Sequence, residues 1–228
     1  MTDAVLWDID GTLLDFNAAE RVGIRSAFEA FGLGMCTDEM LSIYARINEK
    51  YWKMLERGAC TKHETMTWRF REFFELYGMD TDIEAFNDYY QDKLPETIVF
   101  TPGAWETVTA LRHSFRQFCI TNGNLPVQKR KLRDSGLDRI FERSFISDEV
   151  GFEKPSPHFF EYVLNAIDCK PENAIVIGDS LTSDIRGAMN AGIPCCWYQP
   201  NAVEVPNGYA VDYVIHDLRE VLPILNNR

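Results

Sequence analysis

The sequence predicts an α/β fold: a doubly wound parallel sheet interrupted by an all-helical insertion. Three observations carry that expectation. From residue 96 onward, short apolar runs alternate with helical segments, the pattern of right-handed βαβ units on a parallel sheet. One more run of the same kind, AVLW at residues 4–7, stands near the start of the chain, and its unbroken apolar character suits a central strand covered on both faces. Between the two lies a stretch of different texture, rich in aromatic and charged residues at helical spacing. The predicted organisation is therefore a core of residues 1–15 and 96–228, with residues 16–95 as an inserted helical domain.

Taken in order, AVLW is the first strand. The insertion reads as about four helices and no strand; IYARINEKYWKMLERG and ETMTWRFREFFELYG stop at Gly58 and Gly78. TPGAWETVTALRHS reads as a helix with Thr101 as N-cap and Pro102 in its first turn. FRQFCI is a strand, and PVQKRKLRDSG a helix ended by Gly136. RSFIS is a strand, SPHFFEYVLNAI a helix and NAIVIG a strand. TSDIRGAMNAG is a helix closed by Gly192, and PCCWY the last strand.

Composition narrows the function classes. The 228 residues are 46% hydrophobic, enough for a real core, and carry a net charge of −12. That balance excludes a nucleic-acid polymer as partner, since phosphate backbones call for a basic stripe; a small anion remains compatible where a metal or a few cations serve one pocket. Six scattered cysteines form no CxxC pair and read as unpaired thiols, Cys119, Cys195 and Cys196 as core residues. There is no signal-peptide pattern and no apolar run of membrane-spanning length. The expected setting is the cytoplasm, away from membranes, as a monomer or homodimer.

Ligands of an open parallel sheet bind beyond the carboxyl ends of its strands. Asp8, Asp10, Gly11 and Thr12 follow the first strand, and Thr121, Asn122 and Gly123 the second. Asp148, Glu149 and Lys154 follow the third, and Asp179, Ser180 and Asp184 the fourth. Asp8 and Asp10 share one side of an extended chain and repel each other as like charges. A Mg²⁺ held by Asp8 and Asp179 through oxygen relieves that repulsion. The arrangement fits phosphoryl transfer. Asp8 attacks as nucleophile, and Asp10 protonates the leaving oxygen and then deprotonates water. Thr121, Lys154 and main-chain N–H groups near Ile9, Asp10 and Asn122 hold the transferring oxygens.

DIDGT, TNG, KP and GDSLTSD, in this order, resemble the four motifs of the haloacid-dehalogenase-like hydrolase superfamily, and the resemblance spans the whole chain. It implies a Rossmann-like core with a helical (type 1) cap, and Mg²⁺ as cofactor. It implies Asp8 as nucleophile and metal ligand, Asp10 as general acid/base with its main-chain carbonyl on the metal, Thr121 and Lys154 as phosphate ligands and Asp179 as metal ligand. Asp184 is either a further metal-site residue or an orienter of ligands. TNGNLPVQKRKLRDSGLDRIFERSFISDEVGFEKPSPHFF and the inserted NEKYWKMLERGACTKHET are similar to bacterial pyrimidine 5′-nucleotidases acting on noncanonical nucleotides. There Asn48, Lys50 and Trp52 correspond in kind, which makes Asn48 and Trp52 candidates for substrate specificity.

The bland readings stand beside these. Gly11 and Gly123 fit simple turn geometry. Asp184 alone suits a helix N-terminus. The aromatics Trp52, Trp68, Phe70, Phe73, Tyr77, Tyr89 and Tyr90 can stack a base, but packing of the insertion is the favoured use for most. His63, His113, His158 and His216 lack metal-ligand spacing. The run QKRKLRD reads as a solvated helix face. The expected function is Mg²⁺-dependent hydrolysis of a small phosphorylated metabolite, a nucleoside 5′-monophosphate, through an aspartyl-phosphate. A sugar phosphate or phosphoglycolate is the alternative substrate, and 2-haloacid dehalogenation the alternative reaction. A regulator without activity is the alternative outside enzymology.

Overall fold

The computed structural model describes residues 2–227. The chain divides into two units: one formed by the chain up to Phe16 and from Ile98 on, the other by Asn17–Thr97.

The first unit is built on a six-stranded sheet: β1 (Ala4–Trp7), β2 (Arg116–Thr121), β3 (Arg143–Ile146), β4 (Ala174–Gly178), β5 (Cys195–Tyr198) and β6 (Tyr213–Ile215). The strand order is β3-β2-β1-β4-β5-β6, and every pairing is parallel. The order reverses at β1, which pairs with β2 on one side and β4 on the other; this is the switch point where such sheets bind ligands. All four residues of β1 are fully buried, as a strand covered on both faces requires. Val5 and Trp7 enter the layer formed with Ala104, Val108, Leu132 and Val221. Ala4 and Leu6 enter the opposite layer, formed with Phe159, Phe160, Val163 and Ala188. The buried polar atoms between strands are paired: Trp7 Nε1 donates to Gln117 Oε1 (3.0 Å), and Gln117 Nε2 donates to the Val108 carbonyl (2.9 Å).

The second unit contains most of α1 (Phe16–Ala30), with α2 (Asp38–Glu56), α3 (Lys62–Tyr77) and α4 (Ile83–Lys93). Their ends carry explicit stop signals. Thr37 and Asp82 cap α2 and α4, Thr61 and Glu64 form a capping box on α3, and Gly78 closes α3 in the left-handed conformation. Phe70 sits among Tyr44, Phe74, Phe86 and Tyr90 at ring distances of 5.0–6.2 Å. Phe70, Phe73 and Tyr90 are thus packing residues of this unit.

The remaining helices belong to the sheet unit: α5 (Ala104–Leu111), α6 (Leu125–Ser135), α7 (Ser147–Val150), α8 (Pro157–Ile167), α9 (Arg186–Ala191) and α10 (Val221–Asn226). Gly136 and Gly192 close α6 and α9, as the sequence predicts. One N-cap expectation is corrected. Gly103, at φ 78°, precedes α5, while the Thr101 hydroxyl donates to the Thr12 carbonyl and ties α5 to the loop after β1. A π-turn, Leu181–Ile185, precedes α9 where one continuous helix was expected. β6 and α10 are elements that the sequence pattern does not predict. All six cysteines are free, and no helix among the described residues is long and apolar enough to cross a membrane.

Candidate active site

The carboxyl ends of β1 and β4 bring their acidic residues together. Asp8, Asp179 and Asp184 each place a carboxylate oxygen within 4.8 Å of the others. Asp8 continues β1, its N–H donating to the Ile177 carbonyl at 2.9 Å. Asp179 follows β4, and its carbonyl accepts from Trp197 Nε1 of β5 at 2.8 Å. Asp184 lies in the π-turn, where its Oδ2 accepts from the Ser180 N–H at 3.1 Å.

Thr12 links the two strands. Its hydroxyl lies 3.1 Å from both Asp8 Oδ2 and Asp179 Oδ1, and it accepts from the Asp179 N–H at 3.0 Å. Gly11 leaves the necessary room. At φ +93° it adopts a conformation that side chains disfavour, and a Cβ there would meet Asp179 Oδ2 at 2.5 Å. Gly11 thus serves close approach as well as the turn.

Lys154 is 1% exposed and answers part of the negative charge. Its ammonium donates to Asp8 Oδ1 (2.7 Å), Asp184 Oδ1 (2.6 Å) and the Ile120 carbonyl (2.9 Å). Asn122 holds the lysine in place: its side chain donates to the Lys154 carbonyl and accepts from the Lys154 N–H, both at 2.8 Å. The Asn122 amide therefore orients Lys154, and what Asn122 can offer an anion directly is its main chain. The Thr121 hydroxyl, at the end of β2, accepts from the Gly123 N–H at 3.1 Å.

Three carboxylates against one ammonium leave the cluster short of positive charge. Burial, and then repulsion from Asp184, push the Asp8 carboxyl up to about 7 in spite of Lys154. Burial, Asp8 and Asp184 hold Asp179 well above the usual carboxylate range. Burial disfavours the Lys154 ammonium, but attraction to Asp184 and Asp8 outweighs it and holds the group above its usual value. Hard, anionic oxygens at this spacing suit a divalent cation of the Mg²⁺ or Ca²⁺ type.

Asp10 faces another set of partners. Its Oδ1 accepts from Lys131 Nζ at 2.6 Å and its Oδ2 from Gln128 Nε2 at 2.5 Å. Both partners lie on α6 inside the run expected to be a solvated face; instead Gln128 and Lys131 are 1% and 2% exposed. The correction has a physical cause. α6 starts directly after the loop that follows β2, so its first turns adjoin the carboxyl edge of the sheet, and its inward face is partly polar because it meets a carboxylate. The available signal was the set Val127, Gln128, Lys131 and Leu132, which falls on one side of a helix. Asp148 and Glu149 stay outside the cluster. Asp148 accepts from the Leu125 N–H at 2.8 Å, and Glu149 pairs with Lys129 at 2.5 Å.

Of the two residues in the insertion, Asn48 is buried, donating to Glu20 Oε2 (3.0 Å) and accepting from Arg69 Nη1 (2.7 Å). Trp52 is half-buried on α2.

The chain resembles known proteins over most of its length. Residues 2–192 match the haloacid dehalogenase-like hydrolase family. The chain is 35% identical to the HAD-hydrolase YfnB of Bacillus subtilis, over 97% of this chain and 94% of that one. A crystal structure of YfnB bound to magnesium superposes with a TM-score of 0.94, covering 99% of both chains. The pyrimidine 5′-nucleotidase PynA of Streptococcus pneumoniae is 31% identical over 97% of this chain and 94% of its own. A glyceraldehyde 3-phosphate phosphatase of Pyrococcus furiosus is 39% identical over 54% of this chain and 53% of its own.

Proposed function

The chain belongs to the haloacid dehalogenase-like hydrolases, and from that premise we propose that it is a Mg²⁺-dependent phosphatase acting on a small phosphate monoester, with a nucleoside 5′-monophosphate as its substrate class. The observation that carries this reading is the largely buried set of Asp8, Asp179 and Asp184, touched by the Lys154 ammonium as its counter-charge among the described residues. Asp8 and Asp179, with the main-chain carbonyl of Asp10, would hold Mg²⁺, and Asp184 supports the site through Lys154 and the loop after β4. When bound, the metal neutralises the carboxylates and polarises the phosphoryl group.

The residues of the chain then divide the work. Asp8 attacks phosphorus; the new bond joins its carboxylate oxygen to phosphorus as the ester P–O bond breaks. Asp10 delivers a proton to the departing oxygen. It next removes a proton from the water that attacks the aspartyl-phosphate, so phosphate leaves and Asp8 is regenerated. Lys154, the Thr121 hydroxyl and the main-chain N–H groups of the loops after β1 and β2 steady the phosphoryl oxygens. A second carboxylate placed two residues after the nucleophile suits ester hydrolysis, where a poor leaving group needs a proton, better than halide displacement, where it does not.

The nucleotide reading is supported by the similarity to PynA, which extends through the helical insertion. A sugar phosphate is the second reading, supported by the glyceraldehyde 3-phosphate phosphatase. Six free thiols fit a reducing cytoplasm. The test is phosphate release from a panel of nucleoside 5′-monophosphates, glyceraldehyde 3-phosphate and phosphoglycolate, with chloride release from 2-chloropropionate in parallel. The expected result is the highest kcat/KM on a pyrimidine nucleotide. A higher value on a triose phosphate favours the second reading, and halide release without phosphate release overturns both.

A further inference from the structure

Asp10 is gripped at both oxygens by two side chains to which nothing so far assigns a role. Lys131 and Gln128 sit three residues apart on α6, reach the same carboxylate at 2.6 and 2.5 Å, and are almost wholly buried. Asp10 itself is partly open, its side chain 22% exposed, as a residue that meets substrate and water must be.

The surroundings are shaped for this grip. Gly123 has no unusual φ, yet a Cβ there would meet Gln128 Nε2 at 1.9 Å and Gln128 Cδ at 2.6 Å. The absence of a side chain at Gly123 is what lets Gln128 lie along its path to Asp10. Lys131 Nζ also lies 5.2 Å from the centre of the Phe16 ring, a position from which an aromatic face attracts a cation. The N-terminus of α6 is tied down by the bond from the Leu125 N–H to Asp148. A buried lysine and a buried glutamine on a braced helix form a two-point clamp rather than a loose surface pair.

We propose that Gln128 and Lys131 are positioning residues that fix the Asp10 carboxyl group for proton transfer to the leaving oxygen; the inference rests on the phosphatase reading. Two fixed donors at different oxygens block rotation of the carboxylate and hold its plane. Gln128 spends an amide hydrogen on that grip, and its Oε1 is buried without a hydrogen-bond partner among the described residues. Proton transfer demands hydrogen-bond distance between Asp10 and the leaving oxygen, and a misplacement of about 1 Å can cost about 10²-fold in rate.

The experiment compares the single-turnover rate of leaving-group release, the step before water attacks, from a nucleoside 5′-monophosphate, whose ribose oxygen leaves poorly without a proton, and from p-nitrophenyl phosphate, whose phenolate leaves readily. Lys131→Met should lower that rate on the nucleotide by about 10–100-fold and leave the nitrophenyl ester within about 3-fold. Lys131→Arg, which restores a cation of similar reach, should recover most of the nucleotide rate. Gln128→Met keeps Lys131 and gives the same selective loss in smaller measure, so the prediction stands on a second variant if Lys131→Met fails to fold. The substrate concentration at half-maximal release should stay near the wild-type value for both esters. Equal losses on the two esters, or no loss on either, overturn the positioning role while the phosphatase reading survives. A wild-type chain that releases phosphate from neither ester nor from the sugar phosphates of the panel overturns the phosphatase reading and the positioning role with it.

Discussion

Each unit of this molecule buries a cluster of charged side chains, and the two clusters are built on opposite principles. In the helical unit one acid and one base are joined through amides. Asn48 donates to Glu20 and accepts from Arg69, and Arg69 also donates to Asn87 Oδ1 (3.2 Å) and the Met66 carbonyl (3.2 Å). The formal charges cancel, and burial combined with an opposite charge is the condition under which ions stay inside a protein. In the sheet unit three carboxylates share one ammonium, and the charges do not cancel. The first cluster is complete as it stands. The second is completed by something from solution, and an incomplete buried cluster at the switch point of a sheet is the mark of a site. The lesson is that the sum of the buried charges, more than their number, separates a brace from an active centre.

The largest effect expected from breaking this contrast is on rate. Asp8→Asn removes the oxygen proposed to attack phosphorus and should reduce phosphate release by about 10⁴-fold or more, with no phospho-enzyme trapped on rapid quench. In metal-free buffer the same variant should melt no lower than wild type, because one of three like charges has gone. A matching change in the helical unit should do the reverse. At pH 8, where Glu20 is ionised, Arg69→Met leaves that carboxylate buried without its cation and should cost about 3–5 kcal/mol of stability in a urea titration. If Arg69→Met is neutral, the helical cluster is not the brace described here.

The contrast is sharpened by pH. Burial pushes the Glu20 carboxyl up from 4.5 to about 7, with Arg69 pulling the other way. Below pH 4.5 the group is protonated both folded and unfolded. Between about 4.5 and 7 the unfolded chain releases the proton while the folded chain keeps it, so stability falls as pH rises, by about 3 kcal/mol in all. Above pH 7 the loss is complete. Glu20→Gln should remove that part of the slope, measured as the difference in urea stability between pH 5 and pH 8. An unchanged slope would mean that Glu20 is already ionised in the folded chain.

What the sequence reveals of this molecule follows the same division. Asp8, Asp179 and Lys154 are legible because each follows a recognisable strand, and strand ends of a parallel sheet converge. Gln128 and Lys131 are not, because hydropathy assigns a run such as QKRKLRD to solvent, and only the identity of the neighbour, Asp10, reverses that. Glu20 and Arg69 escape notice for the same reason: they are charges on helices whose buried faces are otherwise uncharged. The N-cap expected at Thr101 fails because its hydroxyl has a tertiary partner in Thr12, which local pattern does not show. β6 is only three residues long, too short for an alternation to register.

The central claim is that the carboxylate cluster of the sheet unit is completed by a divalent cation bound through Asp8 and Asp179. Thermal unfolding of the metal-free chain at rising Mg²⁺ tests it most directly. A ligand at 100 times its Kd stabilises the folded state by about 2.7 kcal/mol, which for a chain of this size is a rise in Tm of roughly 5–10 °C. Wild type should show that rise, and Asp179→Asn should lose it while unfolding as cooperatively as before. A wild-type Tm unmoved by Mg²⁺, or an equal rise in Asp179→Asn, would contradict the claim.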